Sequence, residues 1–378
     1  MKNKLLISVC VLLGLSMFTV NVPIEAAKKY AVLQEETNRS FVPIRYVGET
    51  FGYKVDWNQA AKVVTISNEE LALELVLNSS KAKVNGVEKT LDAPPISISG
   101  TTYVPLRFVT EQFGMEINPI EKNKVKMKSA KQETIIETVP LKRYQQAIST
   151  PVTTQSTKVQ TSSKAISINI VTIDLYNPSI DIDAYYANNK VGSVEPFKSM
   201  VEKSNAKVAV NGTFFNAYSD NDVKVPYGYI IKDGETIHNS TEKRAVFVYT
   251  KDFEAKVLNI DDFNTLYLDN KIETAIQAGP LLVKNGKGVV DPVAEGFKDP
   301  KILTNRGARS AIGVTNDNKL IIVTTNAASI PELAEVMLKL NSVEAMNLDG
   351  GASSALYANG KYITPAGREL SNILTIKY

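Results

Sequence analysis

The sequence has 378 residues, of which 44% are hydrophobic and 22% are charged. These fractions are those of an ordinary globular protein and exclude a chain that is disordered over most of its length. The 43 basic and 40 acidic residues nearly cancel and no long basic run is present, so we do not expect a nucleic-acid partner.

The chain opens with the pattern of a secretory signal peptide over residues 1–26. Two lysines precede an apolar run over 5–20, and Ala26 is a small residue of the kind found at cleavage sites. The run is short for a membrane-spanning helix and no second run follows it. The pattern therefore predicts an exported protein with no membrane span after cleavage.

The only cysteine, Cys10, lies inside this segment. Its removal would leave no disulfide, no thiolate metal site and no cysteine nucleophile in the mature protein. An exported protein without disulfides is typical of a Gram-positive-type bacterium, so we expect a secreted or cell-wall-associated location.

The first third of the chain contains a repeat. The segment FVPIRYVGETFG at 41–52 returns as YVPLRFVTEQFG at 103–114. Each copy predicts a short helix, because proline favours a helix start and glycine a helix end. Strand-like segments follow each helix, at 54–66 and 115–127, so the two copies predict one small α+β domain.

This repeat resembles the copper amine oxidase N-terminal-like domain over about residues 30–128. The resemblance rests on the pattern V-P-[IL]-R-[YF]-V with a trailing F-G, and it implies an accessory module through which the protein would associate with the cell wall. The region has no histidine or cysteine for a copper site. Arg45 and Arg107 are candidates for contacting a wall polymer, although arginine stems that pack on the surface with solvated heads account for them more simply.

Residues 129–164 change in composition, and serine and threonine become frequent over 149–163. This predicts a linker or an exposed hairpin. The C-terminal domain then occupies 165–378. The predicted fold class is α+β: a small N-terminal α+β repeat domain, followed by a larger α/β domain with mixed sheets.

Two helix-to-strand units in the C-terminal domain end in polar loops. In the first, Ser193 is the predicted N-cap and the strand ends at Asn211. In the second, Ser329 and Glu332 have the spacing of a capping box and the strand leads to Asp349. Because ligand sites in α/β proteins gather where strands end, Asn211 and Asp349 are predicted to face one cleft.

His238 is the only histidine, and it lies in a polar, hairpin-like segment. A histidine there is expected to have a surface or structural role. The chemistry of the protein is therefore expected to rest on carboxylates and arginines.

The C-terminal domain carries four short segments that resemble, in this order, those of the phosphodiester glycosidase family. They are NGTFF at 211–215, QAGPLL at 277–282, RSAIG at 309–313 and NLDGGASS at 347–354, and RELSN at 368–372 closes the domain. The resemblance covers about residues 165–378. It implies hydrolysis of a sugar 1-phosphodiester, of the N-acetylglucosamine type, at its glycosidic bond.

Under this resemblance Asp349 is a candidate general base toward water, nucleophile, or ligand of a hard divalent cation such as Ca²⁺ or Mg²⁺. No other cofactor is expected. Arg309, as a catalytic residue, and Arg368, as a substrate contact, are candidates for stabilising the leaving phosphate, because arginine forks match phosphate oxygens.

The other predicted substrate contacts lie in two loops and are Asn211, Thr213, Gly350, Gly351, Ser353 and Ser354. The asparagine would hydrogen-bond sugar or phosphate, and the glycine amides and serine hydroxyls would cradle phosphate at a helix start. An Asn-Gly turn and an N-cap serine are the structural alternatives. Thr213 stands where the family often has glycine, and Ala352 stands where it often has a third one.

The sequence therefore predicts an exported hydrolase that acts on a glycan or teichoic-acid-like polymer with sugar-phosphate linkages. Two alternatives stay open. One is a non-catalytic glycan-binding surface protein with the same fold. The other is a phosphodiesterase that cleaves the P–O bond and leaves phosphate on the sugar, and product analysis separates the two enzymes.

Overall fold

The structure is a computed structural model that describes residues 30–378 apart from 122 and 221. The predicted signal peptide, residues 1–26, lies outside the described residues. Within the described part of the chain, no helix is both long and apolar enough to cross a membrane.

The N-terminal region consists of short strands and two short helices. In chain order these are β1 Tyr30–Gln34, β2 Arg39–Pro43, α1 Ile44–Thr50, β3 Lys54–Asn58, β4 Val63–Ser67, β5 Ala72–Val76, β6 Lys81–Val84, β7 Val87–Thr90, β8 Ile96–Ile98, β9 Thr101–Pro105, α2 Leu106–Phe113, β10 Glu116–Glu121 and β11 Lys124–Lys128.

Both copies of the repeat form the predicted helix. Pro43 and Pro105 stand at the N-caps of α1 and α2, and Gly114 ends α2 in the left-handed conformation with φ of 60°. The hairpins that follow join different sheets. Strands β3 and β4 belong to a five-stranded sheet in the order β3-β4-β5-β6-β7, whereas β10 and β11 extend a sheet that also contains β1, β2, β8 and β9.

The segment 129–164, predicted as a linker or an exposed hairpin, is regular structure, so only the linker alternative is corrected: its last strand is largely exposed and forms a hairpin with the strand that follows. It contains β12 Glu133–Pro140, α3 Leu141–Ser149 and β13 Val152–Gln160. Strand β12 pairs with β1 and β11 in the N-terminal sheet, and β13 pairs with the first strand of the C-terminal region. Serine and threonine occur in strands as well as in loops, so the composition of this segment does not by itself indicate a linker. The predicted domain bounds otherwise stay predictions.

Buried contacts join the two regions around α3. The Arg143 guanidinium makes a two-pronged ion pair with Asp174 and lies over the Tyr176 ring, 5.0 Å from its centre. The Tyr30 hydroxyl donates to the Leu175 carbonyl at 3.0 Å. A charged pair and buried hydrogen bonds hold this junction, so it is a packed interface.

The C-terminal region contains most of the strands. In chain order its elements are β14 Ala165–Asp174, β15 Asp181–Tyr186, α4 Phe197–Ser204, β16 Val208–Asn211, β17 Ile230–Lys232, β18 Glu235–His238, β19 Val246–Thr250, β20 Ala255–Leu258, α5 Ile260–Leu268, β21 Ile272–Gln277, β22 Leu281–Lys284, β23 Lys287–Gly288, α6 Pro300–Leu303, β24 Gly307–Thr315, β25 Lys319–Ala328, α7 Ile330–Lys339, β26 Ser342–Asn347, β27 Leu356–Ala358, β28 Lys361–Thr364 and β29 Asn372–Lys377.

These strands form three sheets. Their strand orders are β13-β14-β25-β24-β26-β22-β23, β15-β29-β16-β27-β28 and β18-β17-β21-β19-β20. One apolar core, which includes Val171, Val210, Phe247, Ile322 and Leu374, fills the space between all three. The α+β fold class, with a small N-terminal domain and a larger C-terminal domain of several sheets, is confirmed.

One of the two predicted helix starts in this region is confirmed. Ser329 and Glu332 form the capping box of α7, in which the Ser329 amide donates to the Glu332 carboxylate at 2.8 Å. The other is wrong. Helix α4 begins after Pro196 with no side-chain cap, so Ser193 does not cap it, since proline itself presets the first turn.

Candidate active site

A cleft of about 440 Å³ opens where the three C-terminal sheets meet. Its wall is formed by the loops after β16 and β26, by Arg244 two residues before β19, by helix α6, by the start of β24 and by the loop before β29. This volume lies within the range of small-molecule sites. The strand pairs beside the cleft are antiparallel, and the cleft lies where β16 and β26 end, as predicted for a ligand site.

Asp349 lies on the wall of this cleft, two residues beyond β26. Its Oδ1 accepts a hydrogen bond from the Gly350 amide at 2.8 Å, and the Ser353 hydroxyl also bonds to the carboxylate. Burial raises the pKa of Asp349 to about 6, against the opposing effects of these bonds and of Arg368. The carboxylate is therefore ionised at neutral pH yet close to its titration point, as suits acid–base chemistry.

Asn211 holds the Asp349 loop from behind instead of lining the cleft. Its Nδ2 donates to the Asp349 carbonyl at 2.6 Å, and its Oδ1 accepts from the Ser310 hydroxyl at 2.7 Å and from the Ala355 amide at 2.9 Å. Its side chain is fully buried. Protein groups use both ends of this amide in the structure, and its predicted contact with substrate stays a prediction.

Strands β16 and β26 belong to different sheets, but their ends adjoin. The Asp349 amide donates to the Gly212 carbonyl at 3.1 Å. The predicted proximity of Asn211 and Asp349 is therefore found, although only Asp349 reaches the cleft.

Thr213 and Ser354 are also buried and do not line the cleft, and their predicted contacts with substrate stay predictions. The Thr213 hydroxyl accepts from Asn372 Nδ2 at 2.7 Å, and the Thr213 amide donates to Asn372 Oδ1 at 2.9 Å. Asn372 belongs to the RELSN segment at 368–372. These two hydrogen bonds therefore join that segment to the NGTFF segment that contains Thr213.

Gly350, Gly351 and Ser353 do line the cleft. A Cβ at Gly350 would lie 2.9 Å from the Ala308 carbonyl, and Gly351 has φ of +62°, so both positions favour glycine for backbone reasons. The Gly350 amide already bonds to Asp349. The loop therefore holds the Asp349 carboxylate in place. The Gly350 amide is used for this, so it is not free to bind phosphate as predicted.

Arg309 is buried at the cleft with an unusual set of partners. Its guanidinium donates to three backbone carbonyls, those of Ala328 at 3.2 Å, Asn305 at 2.9 Å and Lys301. Burial lowers its pKa, and no described carboxylate offsets that effect. A buried cation held by dipoles alone is costly unless an anion approaches it.

Arg368 lies at the cleft mouth beside an exposed aromatic ring. Its Nη2 donates to the Tyr218 hydroxyl at 2.8 Å, and its guanidinium lies 4.9 Å from the ring centre. Lys301 Nζ lies 5.2 Å from the same ring centre. The hydrogen bond from Arg368, aided by both positive charges, lowers the pKa of the Tyr218 phenol.

Sequence reasoning missed Arg244, which reaches the cleft from the residue pair before β19. Its guanidinium lies between Phe297 and Phe214, at 4.4 Å and 5.6 Å from their ring centres. Its Nε is buried without a hydrogen-bond partner among the described residues, and burial lowers its pKa. No motif marked this arginine, and only the fold brings it beside Phe214 of the NGTFF segment.

The wall carries more positive than negative charge. The basic residues that line it are Arg244, Lys301, Arg306, Arg309 and Arg368, and the acidic ones are Asp299 and Asp349. Asp299 caps α6 by accepting from the Lys301 amide at 2.9 Å. This balance suits an anionic ligand.

Binding of Ca²⁺ or Mg²⁺, one of the three candidate roles of Asp349, does not fit this donor set. Hard cations require several oxygen ligands, usually carboxylates, and the wall offers only Asp349 beyond the capping Asp299. Within the described ranges, no cluster of three or more His, Cys, Asp or Glu side chains could hold a metal ion. His238 is away from the cleft wall, and its Nδ1 lies 2.9 Å from the Gly228 carbonyl.

The fold and the cleft define an α+β protein with one perturbed carboxylate in a basic cleft. Residues 204–377 match the sequence model of the phosphodiester glycosidase family, and residues 23–127 match that of the copper amine oxidase N-terminal domain. The chain therefore contains a phosphodiester glycosidase domain behind a copper amine oxidase N-terminal domain, as the motifs predicted.

Solved structures that are similar to this chain include the following two. A hypothetical protein from Synechocystis is 14% identical, with a TM-score of 0.50 over 92% of this chain and 91% of that one, and shares the fold. The catalytic domain of zebrafish N-acetylglucosamine-1-phosphodiester alpha-N-acetylglucosaminidase, auto-inhibited by its pro-peptide, is 20% identical, with a TM-score of 0.49 over 60% of this chain and 83% of that one.

A curated protein of Brevibacillus choshinensis, described as a protease inhibitor, is 29% identical over 100 residues. The match spans 26% of this chain and 31% of that protein, so this chain covers about a third of the relative's length.

We predict that Asn211→Ala lowers the free energy of unfolding of the C-terminal domain by roughly 3 kcal/mol, because it leaves buried hydrogen-bonding groups of three segments without a partner. Thermal and urea unfolding followed by circular dichroism would measure the loss. Asn216→Ala, on the cleft wall, is the matched control and should change stability by less than about 0.5 kcal/mol. A similar loss in both variants would contradict the anchoring role of Asn211.

We predict that Asp349→Asn is more stable than the parent protein at pH 7, by roughly 2–3 kcal/mol, and that the difference shrinks as the pH falls from 6 to 4. The folded-state pKa of about 6 lies above the unfolded value of 3.8, so ionising this carboxylate above pH 4 favours the unfolded chain. Urea titrations across this pH range would test it. A variant that is less stable than the parent at pH 7 would show that the carboxylate mainly holds the loop together.

Proposed function

We propose that this protein is an exported hydrolase that cleaves the glycosidic bond of a sugar 1-phosphodiester. The observation that best supports this is the placement of Arg309, a buried guanidinium that no described carboxylate offsets, on the same cleft wall as Asp349, whose pKa is raised to about 6. An anion site beside a perturbed carboxylate fits a substrate that is a sugar at one end and a phosphate at the other.

A single carboxylate is enough for this substrate class. Most glycosidases use two carboxyl groups because an alkoxide leaving group must be protonated. A phosphodiester leaves as a stable anion and needs charge stabilisation instead, which arginines supply by bidentate hydrogen bonds. The cleft has one carboxylate free of a helix-capping role and five basic side chains on its wall.

In the proposed reaction the bond between the anomeric carbon and the phosphate oxygen breaks, and its electron pair leaves with the phosphate. Water supplies the new oxygen on the anomeric carbon. Asp349 either takes the proton of that water directly or first forms an ester with the sugar that water then hydrolyses. Both roles need the ionised carboxylate, and the anomeric configuration of the first product distinguishes them.

We further propose that the natural substrate is a cell-wall or extracellular glycopolymer of the teichoic-acid type, and that the protein is secreted and stays near the wall through its N-terminal domain. The signal-peptide pattern and the N-terminal repeat support this location. An open cleft mouth with Arg368, Lys301 and the exposed Tyr218 has room for a polymer to continue beyond the cleaved bond.

Mass spectrometry of products formed in oxygen-18 water tests the proposal. The mature protein would be incubated with N-acetylglucosamine 1-phosphodiesters and with isolated teichoic acids, beside Asp349→Asn. We expect label in the free reducing sugar and at least about a thousandfold less product with the variant. Label in phosphate would replace the proposal with P–O cleavage, and absence of product across the panel would favour a glycan-binding protein.

We predict that Arg368→Ala lowers kcat/KM on a phosphodiester substrate by about a hundredfold, because a donor to the leaving phosphate is lost. A glycoside of the same sugar with an uncharged leaving group should react at an unchanged, slow rate in parent and variant. Lys361→Ala, another exposed basic residue of the same region, is the control and should leave both rates unchanged. Equal losses on charged and uncharged substrates would contradict a role of Arg368 at the phosphate.

A further inference from the structure

A second groove lies in the N-terminal domain, far along the chain from the cleft described above. It has a volume of about 400 Å³ and runs between the edges of the two N-terminal sheets. One wall is the edge strand β3 with the start of α1, and the other is the hairpin of β8 and β9. This groove is slightly smaller than the candidate active site and has no carboxylate on its wall.

The only tryptophan of the sequence, Trp57, lies on this groove. Its side chain is 37% exposed, and its indole Nε1 donates to Gln59 Oε1 at 2.7 Å, which fixes the ring at the groove edge. An exposed indole whose polar end is already satisfied presents an apolar face to solvent. A flat apolar face suits the carbon-bound hydrogens of a sugar ring.

Polar and basic groups surround this ring. Lys62 and Arg45 supply positive charge, and Ser97, Thr101 and Thr102 supply hydroxyl groups. Arg45 Nη1 is oriented by the Val55 carbonyl at 3.0 Å and by Glu49 at 3.3 Å. The groove thus combines an aromatic platform, hydroxyls and basic residues, which complements a glycan that carries negative charge.

Only the first copy of the repeat has the tryptophan that lines this groove. The position of Trp57 corresponds to Pro119 in the second copy, whereas Arg45 corresponds to Arg107. Pro119 lies in β10 at the edge of the other sheet, and neither it nor Arg107 lines this groove. The second copy therefore keeps the fold of the repeat without the aromatic platform, and it provides a matched control within the same chain.

We propose that the groove at Trp57 is a second glycan-binding site, which stacks a sugar ring of an acidic, phosphate-bearing glycan on the indole and places the neighbouring phosphate near Lys62 and Arg45. The site itself rests on this geometry, and only the choice of a phosphate-bearing chain rests on the proposed function.

Fluorescence of the full chain tests this directly, because Trp57 is the only tryptophan. Emission would be recorded while a soluble polymer of sugar 1-phosphate units, or a neutral oligosaccharide of the same sugar, is titrated into Asp349→Asn, which keeps the substrate intact. We expect a blue shift with both ligands, about tenfold tighter binding of the phosphate polymer, and loss of that preference in Lys62→Ala or at high salt. Arg107→Ala should bind as the parent does.

Isothermal titration calorimetry would measure binding by the variants that lack Trp57 and therefore have no tryptophan fluorescence. Trp57→Ala should bind the polymer at least about tenfold more weakly, and Trp57→Phe should keep part of the affinity because it keeps a ring. Both variants should hydrolyse a small soluble phosphodiester at the parent rate. Absence of a spectral shift with either ligand, or unchanged affinity in Trp57→Ala, would overturn the proposal. Binding at Trp57 without hydrolysis by the parent would instead count only against the proposed reaction.

Discussion

The candidate active site depends on one buried amide. Asn211 is the last residue of β16. Its side chain bonds to the Asp349 carbonyl and the Ser310 hydroxyl, which belong to the sheet of β24 and β26, and to the Ala355 amide beside its own neighbour β27. Strands β16 and β26 belong to different sheets, and the side-chain amide of Asn211 connects the two sheets where these strands end. Because its three bonds are buried, they resist competition by water and fix the backbone from which the Asp349 carboxylate projects.

Electrostatics at the cleft follow from that fixed backbone. The loop holds a carboxylate in a partly buried place, which raises its pKa, while the dipoles of three carbonyls hold Arg309 without a negative charge. Arg244 adds a second guanidinium, which two phenylalanine rings position. Arg244 has an ion pair with Glu242 at 3.4 Å, whereas no described carboxylate offsets the burial of Arg309. Perturbed groups of this kind are usual where a ligand supplies the missing partner, so the uncompensated charge of Arg309 is itself an argument for an anionic ligand.

Sequence reasoning predicted the parts of this site that depend on local pattern. The Asp349 loop, the α7 capping box and both repeat helices follow from residue spacing, and they are found. Asn211, Thr213 and Ser354 were predicted to touch substrate, but they are buried and do not line the cleft. The motif did not predict this, because a motif shows which residue types are present and not which way their side chains face. Arg244 was missed because it lies in no recognisable motif, and only the packing of the three sheets brings it to the cleft. For the segment 129–164 composition leaves a linker and an exposed hairpin equally open, because serines and threonines fit loops as well as strands, and only the fold shows that it is regular structure.

That segment also determines how the two proposed sites relate. A flexible linker would let an N-terminal glycan-binding domain move independently, and would give the active site only a modest gain in local substrate concentration. Here β12 belongs to the N-terminal sheet, β13 to the C-terminal one, and the Arg143–Asp174 pair packs α3 against the junction. A polymer held at Trp57 would then meet the cleft in a limited set of orientations. Such a junction favours cleavage at a set distance from the bound unit over random cleavage along the chain.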